Sequence, residues 1–191
     1  MRLRARGFVT LGTTMAVGAL LSSCAPELPP TSSPTPVVAP TPSATTPAES
    51  PHEREERLAY EGAEKAYRTF ITEYFRVAGA SHLPHVTQPM RRNAGGPYLK
   101  AYSTFIKQRR ERQVRSVGPF AVGYVEHVSF APNRVMLTAC EDGSKVKVVD
   151  RKGRVVGRGQ VGTIDLTVRF VKSRWVVWDG DNEKRVKSCA N

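Results

Sequence analysis

The residues of this chain with the clearest capacity for chemistry are its three cysteines, Cys24, Cys140 and Cys189. Cys24 follows an apolar run and precedes a proline-rich stretch, whereas the other two lie in the C-terminal third. A thiol at the end of an apolar run is a candidate for modification, and a distant pair is a candidate for a disulfide. The other candidates carry imidazole, carboxyl or phenol groups: His82, His85, His127, Asp150, Asp165, Tyr67 and Tyr102.

The first 23 residues are organised like a secretory signal peptide. Three arginines, at positions 2, 4 and 6, precede an apolar stretch over residues 8–21. Its 14 residues are too few for a membrane-spanning helix, which takes about 20. No paired arginines precede this stretch, so we predict that residues 1–23 direct export by the general secretory route.

The apolar stretch ends in Leu21-Ser22-Ser23-Cys24, which resembles a bacterial lipobox. The resemblance implies that the Cys24 thiol receives a diacylglyceryl group and that signal peptidase II cuts between Ser23 and Cys24. Two acyl chains bury enough methylene groups for stable anchoring. We therefore expect a lipoprotein anchored at the outer face of the bacterial cytoplasmic membrane. The alternative is an uncleaved signal anchor with a bystander cysteine.

Residues 24–51 are interpreted as the lipidated cysteine and a linker. Positions 25–51 hold nine of the chain's 14 prolines and nine serines or threonines. They have no periodic apolar face to bury, so we expect a disordered spacer before a folded domain over residues 52–191. An O-glycosylated stalk and a proline-rich ligand for another domain are the alternatives.

The net charge of +12 indicates anionic partners. Loss of the three signal-peptide arginines lowers this charge to +9. For an anchored, exported chain we expect the membrane itself and an envelope protein or an anionic envelope polymer as partners. The sequence has no nucleic-acid-binding motif, and nucleic acid is not an expected partner.

The densest basic stretch covers residues 107–115. It is interpreted as a solvated helix face, and the alternative is an electrostatic patch that faces the membrane or a partner. Its basic residues are Lys107, Arg109, Arg110, Arg112 and Arg115.

If lipidation uses Cys24, then Cys140 and Cys189 remain as an even pair in an oxidising compartment. We predict a disulfide between them, which would close a loop of 49 residues. The alternative is two free thiols.

The folded domain is predicted to begin with two helices. Ser50 and Glu53 have the spacing of a capping box, and apolar residues at three-four spacing continue to Gly79. A short helical turn is expected over residues 86–92. A second helix is predicted from Pro97 to about Arg115, with a basic C-terminal end.

The period of the apolar pattern then changes to two, which predicts strands with short antiparallel connections. The candidate strands are 121–130, 134–140, 145–150, 160–171 and 174–178. Residues 179–182 are interpreted as a turn, because they lack the terminal glutamate of a calcium loop. Helices followed by a meandering sheet indicate an α+β fold.

Several stretches resemble the nuclear-transport-factor-2-like fold, and in particular exported actinobacterial lipoproteins of that type. They are "AYRTF" on the first helix, then "VGPFAVGYVEHVSF", "LTACEDGS", "VVDRKGRVV" and "TVRFVKSRWVVWDG". Cys140-Glu141-Asp142 and Arg174-Trp175-Val176-Val177 match a Cys-x-Asp and an Arg-Trp-x-Val pattern of that family. The resemblance implies a long N-terminal helix and a second helix packed on a curved antiparallel sheet, which form a cone with a pocket.

Tyr67, Tyr102, His127 and Asp165 are the candidate pocket residues. The plainer interpretations are core aromatics for the tyrosines and solvated strand positions for the other two. His82 and His85 are expected in an exposed loop, and neither a metal site nor a cofactor is predicted. No nucleophile elbow, phosphate loop or paired-carboxylate spacing is present, so the catalytic residues stay unknown. We expect a non-catalytic binding or accessory module. The alternative is a small-molecule-binding, isomerase-like or cyclase-like enzyme that uses the cone.

Overall fold

The structure is a computed structural model that describes residues 48–80 and 85–190. The predicted signal peptide with Ser23, the predicted lipidation site Cys24, the predicted linker up to residue 47, and His82 lie outside the described residues. The helices are α1 (Pro51–Gly79), α2 (Gln88–Asn93) and α3 (Gly96–Arg112). The strands are β1 (Arg115–Val117), β2 (Ala121–Ala131), β3 (Arg134–Asp142), β4 (Lys147–Val149), β5 (Val155–Arg158), β6 (Val161–Val171) and β7 (Arg174–Arg185).

Helix α1 begins with the predicted capping box. The Glu53 backbone N–H donates to Ser50 Oγ at 3.3 Å, and the Ser50 N–H donates to Glu53 Oε2 at 2.7 Å. Pro51 occupies the first turn, where it costs no intrahelical hydrogen bond. Both ends of this 29-residue helix, Pro51 and Gly79, therefore agree with the sequence pattern.

The strands form two antiparallel sheets. The large sheet has the order β2-β3-β6-β7, and the small sheet has the order β1-β4-β5. Strand β7 lies at an edge of the large sheet, where the Gly95 N–H donates to the Val177 carbonyl at 2.8 Å. The connection between α2 and α3 thus covers part of that edge, which would otherwise expose unpaired backbone groups.

The core lies between the helices and one face of the large sheet. Side chains of β3 and β6 alternate, so that every second residue is buried against α1. The architecture is α+β, with helices packed on antiparallel sheets. The most deeply buried members of this core are Tyr67, Phe70, Ile71, Val135, Leu137, Ala139, Leu166 and Val168.

The second helix ends earlier than its sequence predicts. Gln113 adopts a left-handed backbone with φ of 52°, which stops α3 at Arg112. Arg115 consequently lies in β1 rather than on the helix. The short strand β1 was not predicted, because its three residues show no marked apolar pattern.

The interpretation of residues 179–182 as a turn is wrong. Strand β7 continues to Arg185, and Asp179 and Asp181 are paired with Thr167 and Asp165 of β6. The register shifts between the pairs of Thr163 and Asp165, so β7 has one extra residue there. A bulge accommodates a polar, glycine-containing segment that would otherwise indicate a turn.

Cys140 and Cys189 form the predicted disulfide, with their Cα atoms 5.6 Å apart. Cys140 is fully buried on β3. Cys189 packs so closely on Gly123 of β2 that a Cβ at this glycine would lie 2.6 Å from the Cys189 Cβ. The bond therefore ties the C-terminal segment to two strands of the large sheet. No helix among the described residues is long and apolar enough to cross a membrane.

Replacement of both cysteines by alanine should lower the free energy of unfolding by about 2–4 kcal/mol, because the loop closed by the bond is long. Denaturant unfolding of the oxidised protein and of the variant measures this loss. Reductant should destabilise the parent chain by a similar amount and leave the variant unchanged. A loss below about 1 kcal/mol would contradict the stapling role of the bond.

Candidate functional site

A cavity of about 800 Å³ opens where α1, α3 and the two sheets meet. Its walls combine one aromatic side, one acidic region and one basic rim. The lining residues that carry these properties are Tyr74, Phe75, Tyr102, Phe105, Arg109, Arg112, Glu141, Asp150, Val156 and Glu183.

The aromatic side of the cavity is built by helix spacing. Tyr74 and Phe75 lie near the end of α1, and Tyr102 and Phe105 lie on α3. The Tyr74 and Tyr102 rings meet edge to face with centroids 4.6 Å apart. Phe105 remains 49% exposed, so the wall continues to the cavity mouth. Such a wall fits an apolar or aromatic ligand body.

Glu141 supplies the buried carboxyl of the cavity. The fully buried Tyr67 hydroxyl donates to Glu141 Oε1 at 2.5 Å. Burial raises the pKa of Glu141, the Tyr67 hydrogen bond lowers it, and the nearby Glu183 charge raises it. The net direction is upward, so the folded chain keeps this proton over a pH window in which the unfolded chain has lost it. Glu141 therefore makes the protein less stable as pH rises through that window.

The phenols around Glu141 stay protonated. Burial raises the pKa of Tyr67, and the charge of Glu141 raises it further. Burial likewise raises the pKa values of Tyr98 and Tyr102, and the Tyr98 hydroxyl donates to the Tyr102 hydroxyl at 3.4 Å. The polar part of the cavity thus offers neutral donors beside a carboxyl whose pKa is raised. A carboxylate can accept several hydrogen bonds, so Glu141 can accept one from a ligand as well.

The basic rim comes from the end of α3. Arg109 Nη1 donates to Ser116 Oγ at 3.0 Å, which fixes the guanidinium against β1. Arg112 lines the same rim. Across the mouth, the Asp150 carboxylate accepts from Arg154 Nε at 2.7 Å, so this acid is already paired. The rim therefore presents excess positive charge to an entering molecule.

The structure brings some of the predicted site residues together and separates others. Tyr102 lines the cavity, and Tyr67 reaches it through Glu141. His127 lies on β2, where its ring stacks on Tyr60 at 4.1 Å, and it is not among the cavity-lining residues.

Asp165 lies on β6 beside Thr138, whose hydroxyl donates to it at 2.7 Å, and it does not line the cavity either. His85 Nδ1 lies 3.4 Å from Arg110 Nη1 on the exposed surface. Among the described residues, no three His, Cys, Asp or Glu side chains lie close enough together to hold a metal ion.

The predicted basic patch is divided by the fold. Arg109 and Arg112 reach the cavity rim, whereas Lys107, Arg110 and Arg115 are exposed outside it. Arg109 and Arg112 lie three residues apart and so share one face of α3, whereas the early end of the helix places Arg115 in β1.

Sequence reasoning missed Glu141, although a signal for it was present. Val135, Leu137 and Ala139 alternate on the buried face of β3, and Glu141 is the next residue on that face. A carboxyl that continues an apolar period-two row is expected to point toward the core. Burial of a carboxyl in a cavity marks a candidate functional group.

No family model matches the sequence, and no curated protein matches it. Among solved structures, the chain is similar to the crystal structure of the intermembrane space region of the chloroplast protein ARC6, with a TM-score of 0.45 and 16% identity. The match covers 66% of this chain and 96% of that one.

We expect Tyr67→Phe to lower the free energy of unfolding by about 1.5–3 kcal/mol at neutral pH, as for the loss of a hydrogen bond to a charged group. The lost bond also raises the pKa of Glu141 further. A protonated Glu141 gains less free energy from the Tyr67 hydrogen bond than a charged one does. The destabilisation caused by Tyr67→Phe should therefore be smaller at acidic pH. Urea unfolding at neutral and acidic pH measures both effects.

Tyr74→Phe is the matched control, because Tyr74 is buried on the same helix and its hydroxyl contacts no carboxylate among the described residues. The decrease in the free energy of unfolding caused by Tyr74→Phe should not depend on pH. Equal losses for Tyr67→Phe at both pH values would show that the hydroxyl does not support a charged Glu141.

Proposed function

We propose that this chain is a membrane-anchored bacterial lipoprotein whose extracytoplasmic domain is a non-catalytic binding module. The lipobox resemblance at Cys24 and the spacer that follows it support the anchor. The domain, a nuclear-transport-factor-2-like cone in this proposal, holds a small organic molecule in its cavity. The observation that carries the proposal is the cavity of about 800 Å³ that combines aromatic walls with the buried Glu141 carboxyl.

The ligand chemistry follows from the cavity walls. Tyr74, Tyr102 and Phe105 favour a planar or apolar body, which gains free energy by leaving water. Glu141 favours a hydrogen-bond donor at the inner end, where an unpaired ligand donor would otherwise lose its hydration. Arg109 and Arg112 attract a negatively charged or strongly polar group at the mouth. A few polar groups in a mainly apolar pocket are typical of sites for small organic molecules.

A binding role fits the immediate surroundings of Glu141. A proton-transfer enzyme of this kind needs a base and a donor on opposite sides of the substrate. Here Tyr67 donates directly to Glu141, so this donor and the carboxyl lie side by side rather than on opposite sides of a substrate.

An isomerase-like or cyclase-like enzyme is the second candidate. The raised pKa of Glu141 favours it, because a carboxyl that titrates nearer neutrality is a better general base. The two candidates differ in what happens to the bound molecule. An enzyme releases it with altered chemistry, and a binding module releases it unchanged.

Native mass spectrometry of the chain from Ala25 onward, exported behind a cleavable signal peptide, tests the proposal. Titration with the fluorescent probe anilinonaphthalene sulfonate, which has an aromatic body and an anionic group, adds a ligand of known identity. We expect the native protein to carry an additional mass, which is lost on unfolding as a chemically unchanged molecule. We also expect saturable binding of the probe.

Val156→Trp places a large side chain at the cavity mouth and should raise the probe's dissociation constant at least about tenfold, a free-energy change of about 1.4 kcal/mol. Val128→Trp is the matched control. Val128 and Val156 both lie in strands and are similarly exposed, at 52% and 56%, but of the two only Val156 lines this cavity. Equal probe binding by both variants would place the binding site outside the cavity. Recovery of the released molecule as an isomer, which has the same mass but a different chromatographic retention, would favour the enzyme.

A further inference from the structure

The positive charge of the protein is concentrated in one layer. Residues 107–117 and 143–160 together contain 11 lysines and arginines but only two acidic residues. The rest of the chain from Cys24 onward contains 15 basic and 15 acidic residues and is therefore neutral. The two basic stretches are adjacent in space because β1 pairs with β4 and β4 pairs with β5. We call these two stretches the basic layer.

The outer face of the small sheet mixes this charge with exposed apolar side chains. Val117, Lys147 and Arg158 are opposite one another across the three strands and so lie in one row on one face. The neighbouring row on that face is Arg115, Val149 and Val155, because Val156 is the extra residue at the register shift.

Two apolar side chains of this outer face remain accessible. Val117 is 39% exposed and Val155 is 47% exposed. Lys147, Arg158 and Arg115 are exposed beside them. Val149, between Arg115 and Val155 in the second row, is only 7% exposed, whereas the cationic and apolar side chains around it are accessible.

We propose that the outer face of the small sheet docks on a bilayer that contains anionic phospholipids. The arginines and lysine pair with lipid phosphates, and the two exposed valines enter the boundary between headgroups and acyl chains. This surface is distinct from the cavity interior, so the inference does not depend on the proposed ligand-binding function.

One observation and one expectation favour a bilayer over a soluble polyanion. A polyanion neutralises the basic layer but offers no apolar phase to Val117 and Val155, whereas a bilayer offers both. The predicted anchor at Cys24 would also keep the domain within roughly 80 Å of a membrane, the reach of a 27-residue proline-rich spacer. Tethering of this kind raises the effective concentration of a weak second contact.

Vesicle co-sedimentation of the chain from Ala25 onward tests the proposal without any contribution from the lipid anchor. The vesicles contain either phosphatidylcholine alone or a mixture of phosphatidylcholine and phosphatidylglycerol. We expect binding to the mixed vesicles that falls with added salt, and little binding to the neutral vesicles.

Lys147→Glu combined with Arg158→Glu should weaken binding to mixed vesicles at least about tenfold, because two attractive charges become repulsive. The matched control is Arg134→Glu combined with Arg174→Glu, which makes the same charge change at exposed strand positions outside the basic layer. We expect the control to retain binding within about twofold of the parent chain. Circular dichroism of each variant checks that the fold is kept.

Val117→Thr combined with Val155→Thr separates a bilayer from a soluble polyanion. Threonine keeps the β-branched shape, so the sheet should persist while the apolar contact weakens. We expect weaker vesicle binding and unchanged binding to polyglutamate. Three outcomes would overturn the proposal: no binding to mixed vesicles, equal losses for the two charge variants, or vesicle binding that the valine substitutions leave unchanged.

Discussion

The alternation of side chains along β3 is the constraint on which the rest of the structure depends. Every second side chain of this inner strand points to α1, and the intervening ones point away. One face therefore supplies Val135, Leu137 and Ala139 to the core and then Glu141 to the cavity. The other face supplies Cys140 to the disulfide. A shift of the strand by one residue would exchange the two faces and remove both features.

The position of Glu141 connects this register to the chemistry of the cavity. The apolar row fixes the register of the strand, so the carboxyl lies on the face that points to α1 and the cavity. Tyr67 reduces the cost of this burial because its hydroxyl donates to the carboxyl from the facing helix. Burial between α1 and β3 thus raises the pKa of Glu141, and the Tyr67 hydrogen bond, which opposes this rise, fixes the polar end of the cavity. The surrounding aromatic side chains give the cavity its apolar body.

The long elements and the disulfide were predictable from sequence because their signals are strong and local. The capping box at Ser50 and the three-four period define α1, and the even cysteine pair indicates the bond. The β6 strand likewise follows its period-two pattern. The pattern that predicts α1 or β6 lies within the element itself.

The cavity was less predictable because it depends on how distant elements meet. Its residues come from two helices and both sheets, and no local pattern indicates that Tyr74, Arg112 and Glu141 line one space. Asp165 and His127 have suitable chemistry, but strand register and the position of α1 place them outside the lining. The left-handed Gln113 that ends α3 is a further example, because glutamine has no marked preference for that conformation.

Carbon-13 NMR titration of the glutamate carboxyls of the folded, oxidised chain tests the central claim most directly. The account predicts that Glu141 titrates above the ordinary value of 4.5. Glu53 and Glu73 should titrate below it in the same spectra, because Glu53 accepts from the Ser50 backbone and Glu73 accepts from Arg76. A Glu141 pKa at or below those of Glu53 and Glu73 would show that its carboxyl is solvated, and the cavity would lose its buried acid.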